Sequence, residues 1–101
     1  MAEVEPALMR VELDLYWTVV AGQDPLNFFR ANAGRVALCH VKDMDAGGSM
    51  ADPGSGAIDF AAIFAESELA GLRHYFVERD DAPDPMATAA SAYAFLRDLE
   101  F

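Results

Sequence analysis

Three chemically capable side chains, Asp14, His40 and Glu78, each stand at the end of a predicted β-strand. Side chains alternate across a strand, so one residue from each strand can face a common centre. Two carboxylates and an imidazole that converge in this way form a mixed oxygen and nitrogen ligand set. Such a set suits Mn²⁺, Co²⁺, Mg²⁺, Fe²⁺ or Zn²⁺, and the sequence does not choose among these metals.

Each of the three residues also has an ordinary structural explanation. A single acidic residue at a strand end is usually a helix cap or a solvated loop residue. A histidine after an apolar run is usually a hydrogen-bonded core residue. Because the three residues occur at the ends of three successive strands, a shared metal site is about as probable as three separate structural roles. His74 is different, because it begins its strand. We expect it at the opposite end of the sheet, on the surface.

The elements that must position these residues alternate as β-α-β-α-β-α. We predict strands near 8–16, 35–41 and 73–79, and helices near 25–33, 59–70 and 85–99. Asp24-Pro25 and Asp84-Pro85 are typical helix starts, since aspartate caps free amides and proline is preset for the first helical position. The alternating order predicts a parallel sheet with right-handed crossovers. Functional residues in such folds lie just beyond the carboxyl ends of the strands.

Three further patterns predict how these elements pack. The apolar run from Val36 to Cys39 is typical of a strand that is buried on both faces. The glycine-rich segment 44–58 is predicted to be a long loop, and long loops in compact domains are often functional. The last helix is predicted to bury an apolar stripe, formed by Met86, Ala89, Ala90, Tyr93 and Leu96.

Composition limits the classes of function. The 101 residues allow a single domain, 1–101, with 17 acidic and 7 basic residues and a net charge of −10. This balance disfavours binding to nucleic acid, which needs clustered Lys and Arg. The lone Cys39 excludes an internal disulfide. No apolar run reaches the roughly 20 residues of a membrane span, and the N-terminus lacks the basic start of a signal peptide. We therefore expect a cytoplasmic protein without a membrane or nucleic-acid partner, although an export signal on a missing N-terminal part would change its location.

Several segments together resemble the sugar phosphate isomerase/epimerase family, the xylose isomerase-like TIM barrels. They are Glu12-Leu-Asp14-Leu-Tyr-Trp17, Ala21-Gly-Gln-Asp-Pro25, Gly34-Arg35 leading into His40-Val-Lys-Asp43, Pro53-Gly-Ser-Gly-Ala-Ile-Asp59-Phe60 and Tyr75-Phe-Val-Glu78-Arg-Asp80. Each segment alone is weak, but their order and spacing are specific. The resemblance extends from about Val11 to Leu99.

The resemblance implies a metal site at the carboxyl-terminal mouth of a barrel, with four ligands from strands five to eight. Asp14, His40 and Glu78 match the ligands of strands six, seven and eight. The strand-five glutamate has no counterpart here. The implied fold is α/β, the last three βα units of a partial (β/α)8 TIM barrel, with a parallel three-stranded sheet. Complete barrels have about 250 residues, so the resemblance implies an incomplete fragment.

The implied activity is divalent-metal-dependent isomerisation or epimerisation of a small sugar or sugar phosphate. Glu78 would move a proton α to a carbonyl, through an enediolate. Expulsion of a β-hydroxyl from the same enediolate would instead give an inosose dehydratase-like lyase. The resemblance also implies substrate contacts from Lys42 and Asp43. Trp17 lies where ketose 3-epimerases often place a substrate-contacting histidine.

Two alternatives remain open. A related endonuclease branch uses the same scaffold, but it needs more metal ligands and a basic face, and the net charge of −10 argues against it. A non-catalytic α/β fragment that self-associates is the second alternative. Unpaired edge strands at Val11 and Phe76 would favour a homo-oligomer. As an isomerase or epimerase without the strand-five glutamate, the isolated chain is expected to be inactive.

Overall fold

The computed structural model describes residues 9–101, so the predicted start of the first strand at Leu8 lies outside the described residues. Five strands and five helices follow in the order β1 Val11–Asp14, α1 Leu15–Val20, α2 Pro25–Ala31, β2 Val36–Val41, β3 Asp43–Met44, β4 Met50–Ala51, α3 Phe60–Phe64, α4 Ser67–Ala70, β5 His74–Val77 and α5 Pro85–Asp98. Within these residues, no helix is both long enough and apolar enough to cross a membrane.

The main sheet is parallel, with the strand order β1-β2-β5. Asp14 lies beside His40 in the register of β1 and β2, and His40 lies beside Phe76 in the register of β2 and β5. The carboxyl ends of all three strands therefore meet at one edge of the sheet. The predicted α/β class and the parallel three-stranded sheet are confirmed.

The first strand is shorter than predicted. It ends at Asp14, and α1 begins at Leu15. Asp14 starts this helix as its N-cap, because its Oδ1 accepts the backbone N–H of Trp17 at 3.0 Å. Leu15 and Tyr16 are both buried, and two adjacent residues cannot share one face of a strand. The apparent alternation through residue 16 was thus misleading.

Capping residues set the ends of several other predicted helices. Asp24 and Asp84 cap α2 and α5, each with proline in the first turn, as predicted. Gly71 ends α4 with a positive φ of 86°, which glycine adopts without strain. The predicted helix 59–70 is wrong in one respect, since it is divided into α3 and α4. The predicted loop 44–58 also contains a short antiparallel pairing of β3 with β4.

The core joins β2 to the helices α1 to α4. Its buried members are Leu15, Phe29, Val36, Cys39, Val41, Phe60, Ile63, Phe64 and Ala70. On β2, Cys39 and Val41 are buried on one face, while the other face is buried at Val36 and only half-buried at Leu38 and His40. The predicted burial of both faces therefore holds at Val36 but not at Leu38. Phe76 is 47% exposed on the face that carries His40, as expected from its parity.

Cys39 belongs to the buried face. Burial raises the pKa of its thiol to about 12, and the negative charge of Asp14 adds to this effect. The thiol therefore stays neutral at physiological pH, and Cys39 acts as a small apolar core residue.

The last helix buries a different stripe from the predicted one. Thr88 and Ala92 are buried, whereas Met86 and Tyr93 are 79% and 65% exposed. Phe95 sets this orientation, because its ring contacts Phe60 and lies where a Cβ on Gly54 would otherwise be. The predicted stripe is wrong for all its members except Leu96, which packs against the core.

Candidate metal centre

Asp14, His40 and Glu78 converge at the carboxyl edge of the main sheet. One ligand atom from each residue lies within 4.8 Å of the others. Asp14 ends β1, His40 is the penultimate residue of β2, and Glu78 directly follows β5. The exposed His74 begins β5, at the opposite end of the strand. The structure thus brings together the three residues that the sequence selected as ligands.

Asp14 has two roles in this arrangement. Its Oδ1 caps α1 through the N–H of Trp17 at 3.0 Å, while its Oδ2 lies 2.7 Å from the Nζ of Lys42. The carboxylate is therefore fixed by backbone and side chain together. The helix-cap explanation and the ligand explanation of Asp14 do not exclude each other, because each oxygen can accept more than one contact.

His40 is held by carboxylates at both ring nitrogens. Its Nδ1 contacts Glu78 Oε2, and its Nε2 contacts Glu12 Oε1. Partial burial works to lower the pKa of His40, but the hydrogen bonds and charges of Glu78 and Glu12 outweigh it and raise the pKa above its usual value. Sequence reasoning did not select Glu12 as a site residue. The available signal was its parity, since it precedes Asp14 by two residues on the same strand.

Lys42 supplies a buried positive charge to the cluster. The residue is only 4% exposed, and its Nζ lies 2.7 Å from Asp14, 3.3 Å from Asp80 and 3.6 Å from Glu78. Burial works to lower the pKa of Lys42, but hydrogen bonds to Asp14 and Asp80 and nearby negative charges raise it above its usual value. Lys42 therefore stays protonated and partly neutralises the carboxylates around it.

The two carboxylate oxygens of Glu78 contact different partners. Its Oε2 faces the Nδ1 of His40, and its Oε1 faces the ammonium of Lys42. Two carboxylates and one imidazole at this separation fit a divalent ion of the first transition row or Mg²⁺. Three protein ligands leave coordination positions open for water or for substrate oxygens.

Trp17 lies at the side of the cluster. Its side chain is 49% exposed, and the Nζ of Lys42 lies 6.0 Å from the centre of its ring. Tyr16 packs edge-on against it, with ring centroids 4.9 Å apart, and the Tyr16 hydroxyl donates to the carbonyl of Gly48. Trp17 therefore offers an exposed aromatic surface beside the candidate ligands, and the ring of Tyr16, held by its hydrogen bond to Gly48, packs against it.

Asp43 is placed differently from the other predicted substrate residues. It is 1% exposed, and its carboxylate accepts four backbone N–H groups. Oδ1 accepts from Met44 at 2.8 Å and Ile58 at 3.1 Å, while Oδ2 accepts from Gly54 at 3.0 Å and Gly56 at 2.9 Å. A Cβ on Gly56 would collide with this carboxylate. Asp43 thus organises segment 44–58, which was predicted to be a functional loop.

We expect Asp43→Asn to lower the free energy of unfolding by about 2 kcal/mol or more, because the amide would place a donor against buried N–H donors and leave them unpaired. Urea unfolding followed by circular dichroism measures this loss. Asp45→Asn is the matched control, since Asp45 accepts the N–H groups of Gly47 and Ser49 through Oδ1 alone, at an exposed turn. The control should change stability by no more than about 0.5 kcal/mol. Equal losses in both variants would contradict the assigned role of Asp43.

No family model matches the chain, and no curated protein matches it. Solved structures do. Two sugar phosphate isomerase/epimerase structures from Parabacteroides distasonis align with TM-scores of 0.77 and 0.76 at 27% and 28% identity, and they cover 95% and 96% of this chain. A xylose isomerase domain protein from Alicyclobacillus acidocaldarius aligns over 89% of the chain with a TM-score of 0.66 at 19% identity.

The alignments cover 33%, 34% and 36% of these neighbours, so the chain spans about a third of their length. The predicted resemblance to xylose isomerase-like proteins is confirmed, and so is the fold of a partial TIM barrel. The match with the Alicyclobacillus protein supports the fold alone, because its identity is low.

Proposed function

We propose that this chain carries part of the active site of a divalent-metal-dependent isomerase or epimerase acting on a sugar or sugar phosphate. The observation that carries the proposal is the convergence of Asp14, His40 and Glu78 within 4.8 Å at the carboxyl edge of a parallel sheet. The names of the structures aligned at 27% and 28% identity support the same reaction class.

In this proposal Asp14, His40 and Glu78 hold the ion, which is Mn²⁺, Co²⁺, Mg²⁺, Fe²⁺ or Zn²⁺. When bound, such an ion would polarise a substrate carbonyl and its neighbouring hydroxyl. A fourth protein ligand is expected from a part of the barrel outside this chain. The aligned structures are about three times as long as this chain, and we propose that catalysis needs residues from the additional length that they contain.

Glu78 is the proposed catalytic acid/base. A carboxylate at hydrogen-bonding distance from the carbon next to a carbonyl can remove a proton and return it to the neighbouring carbon, which isomerises the sugar. Epimerisation would in addition need a second acid that protonates the same carbon from the opposite face of the enediolate. Lys42 stays protonated beside Glu78, so it can stabilise negative charge that develops on the substrate oxygens. The exposed ring of Trp17 provides an apolar surface for the C–H face of a sugar. Asp43 accepts four backbone N–H groups of the neighbouring loop, and in this proposal it orders that loop beside the site.

A dehydratase remains the second candidate for the reaction. The same cluster favours it as much as isomerisation, because both reactions begin with removal of the proton next to the carbonyl. They differ in whether a β-hydroxyl leaves afterwards. Loss of water from a substrate, measured by mass spectrometry, separates the two.

We expect the 101-residue chain to bind one equivalent of Co²⁺, which a chelator should remove. We do not expect the chain to convert a sugar. We expect three ligands to suffice for weak binding, whereas turnover is expected to need residues from the additional length of the aligned structures. The visible absorption of Co²⁺ measures binding, and an enzymatic sugar assay measures turnover. Chelator-sensitive isomerase activity of this chain would contradict the second expectation, and failure to bind Co²⁺ would contradict the proposed function.

The same chain is expected to self-associate. Among residues 9–101, β1 and β5 pair only with β2 in the main sheet, so each leaves one edge open for strand addition. Phe76 and the neighbouring Tyr75 and Val77 on β5 are exposed. Sedimentation velocity at several concentrations tests this expectation, and a monomer throughout would contradict it.

A further inference from the structure

Glu12 contacts the ring edge of His40 that faces away from Glu78. Its Oε1 contacts Nε2, whereas Oε2 of Glu78 contacts Nδ1. Glu12 lies two residues before Asp14 on β1, so both side chains stand on the same face of the sheet. It is not one of the three residues whose ligand atoms lie within 4.8 Å of one another.

The contacts of the candidate ligands favour Nδ1 as the nitrogen that would face an ion. Glu78 contacts the ring at Nδ1, and the Nζ of Lys42 lies 2.7 Å from Asp14 and 3.6 Å from Glu78, so we infer that both carboxylate ligands lie toward this side of the imidazole. The lone-pair directions of the two ring nitrogens diverge, and an ion bound at Nδ1 is therefore out of reach of the carboxylate at Nε2.

A neutral imidazole binds a metal through one nitrogen and carries its hydrogen on the other. With Nδ1 toward the ion, the hydrogen must be on Nε2. The carboxylate of Glu12 is placed to accept it. Partners of this kind fix the tautomer and the orientation of a ligating histidine, and they make it a stronger ligand.

We propose that Glu12 is a positioning residue of the metal centre, which accepts the Nε2–H of His40 and so presents the Nδ1 lone pair to the ion. This inference rests on the proposed function, because it assumes that His40 is a ligand. It adds a residue that acts through His40 and does not itself touch the ion.

Zinc titration of the whole 101-residue chain by calorimetry tests the inference. Glu12→Ala should weaken Zn²⁺ binding by roughly ten- to a hundredfold, the usual effect of removing such a partner. Glu12→Gln should remain within a few-fold of the unchanged chain, because its amide oxygen can accept the same hydrogen bond. Glu68→Ala is the matched control, since it removes one exposed acidic residue from α4, and it should leave the affinity unchanged.

Nitrogen-15 spectra of the histidine rings provide a second readout, which does not depend on any variant. In the Zn²⁺-loaded chain, His40 should show a metal-bound Nδ1 and a protonated Nε2. His74, the other of the two histidines, is exposed at the far end of β5 and serves as an internal reference.

Three results would overturn the inference. If Glu12→Ala binds Zn²⁺ as tightly as the unchanged chain while His40→Ala does not, Glu12 has no positioning role, although the proposed function stands. If the spectra show zinc on Nε2, Glu12 lies on the metal side and acts as a ligand instead. If the unchanged chain binds no zinc, the proposed function fails together with the inference.

Discussion

His40→Ala is expected to weaken binding of Mn²⁺ or Co²⁺ to the chain by about a hundredfold or more, while the fold persists. The imidazole is one of three candidate ligands, and loss of a ligand should cost at least as much as loss of a partner that only orients it. The side chain is trimmed at a strand end and is 29% exposed, so the core does not lose a packed residue. Calorimetry measures the affinity, and circular dichroism measures the fold.

The pH dependence of the same variant gives a second check. A proton and a metal compete for His40, so metal affinity of the unchanged chain should fall as pH decreases through the imidazole titration. Because the pKa of His40 is raised, this loss should begin above the usual histidine range. His40→Ala should lack this component. The control is His74→Ala, which removes an exposed imidazole at the far end of β5 and should change neither the affinity nor its pH dependence.

Without metal, the expected effect of pH on stability has the opposite sign. A group whose pKa is higher in the folded state than in the unfolded state stabilises the fold at low pH, and this contribution is lost as pH rises through the folded-state pKa. The protonated ring of His40 lies between Glu12 and Glu78.

If His40 were only a core histidine, its replacement would lower stability and leave metal affinity unchanged, which would contradict the proposed centre.

The sequence predicted the parts of the fold that depend on local chemistry. Asp24 and Asp84 start helices because a side-chain oxygen beside a proline satisfies free amides within a few residues. The order of strands and helices determines a parallel sheet, and a parallel sheet places strand ends at one edge. These local rules suffice to bring Asp14, His40 and Glu78 together.

The parts that were missed depend on distant contacts. The orientation of α5 follows from the packing of Phe95 against Phe60 and Gly54, which no helical periodicity within residues 85–98 encodes. The contact of Glu12 with His40 joins residues 28 positions apart. Asp14 ends its strand earlier than its alternating pattern predicts, because the carboxylate caps a helix. An aspartate can both cap a helix and bind a metal, so the sequence did not show which of these two roles Asp14 has.

The largest expected effect concerns Glu78 in a protein that joins this chain to the rest of the barrel. Glu78→Gln should lower kcat by roughly 10²- to 10⁴-fold, the usual contribution of general acid–base catalysis. The amide keeps an oxygen that can face the ion, but it cannot accept and return the proton. Metal binding should therefore be retained in part while turnover is mostly lost. Steady-state kinetics at saturating metal, with a parallel calorimetric titration, measure both quantities.

Asp80→Asn is the matched control for this substitution. Asp80 also contacts Lys42, at 3.3 Å, and its side chain is 46% exposed against 38% for Glu78. Both variants remove one negative charge beside the same ammonium, but only Glu78 also contacts His40. If loss of charge near Lys42 were the cause, both variants would lose activity to a similar extent. If Glu78 carries the proton, Asp80→Asn should remain within a few-fold of the unchanged enzyme. A Glu78→Gln enzyme with a near-normal rate would remove Glu78 from the mechanism, and proton transfer next to a carbonyl would then need another base.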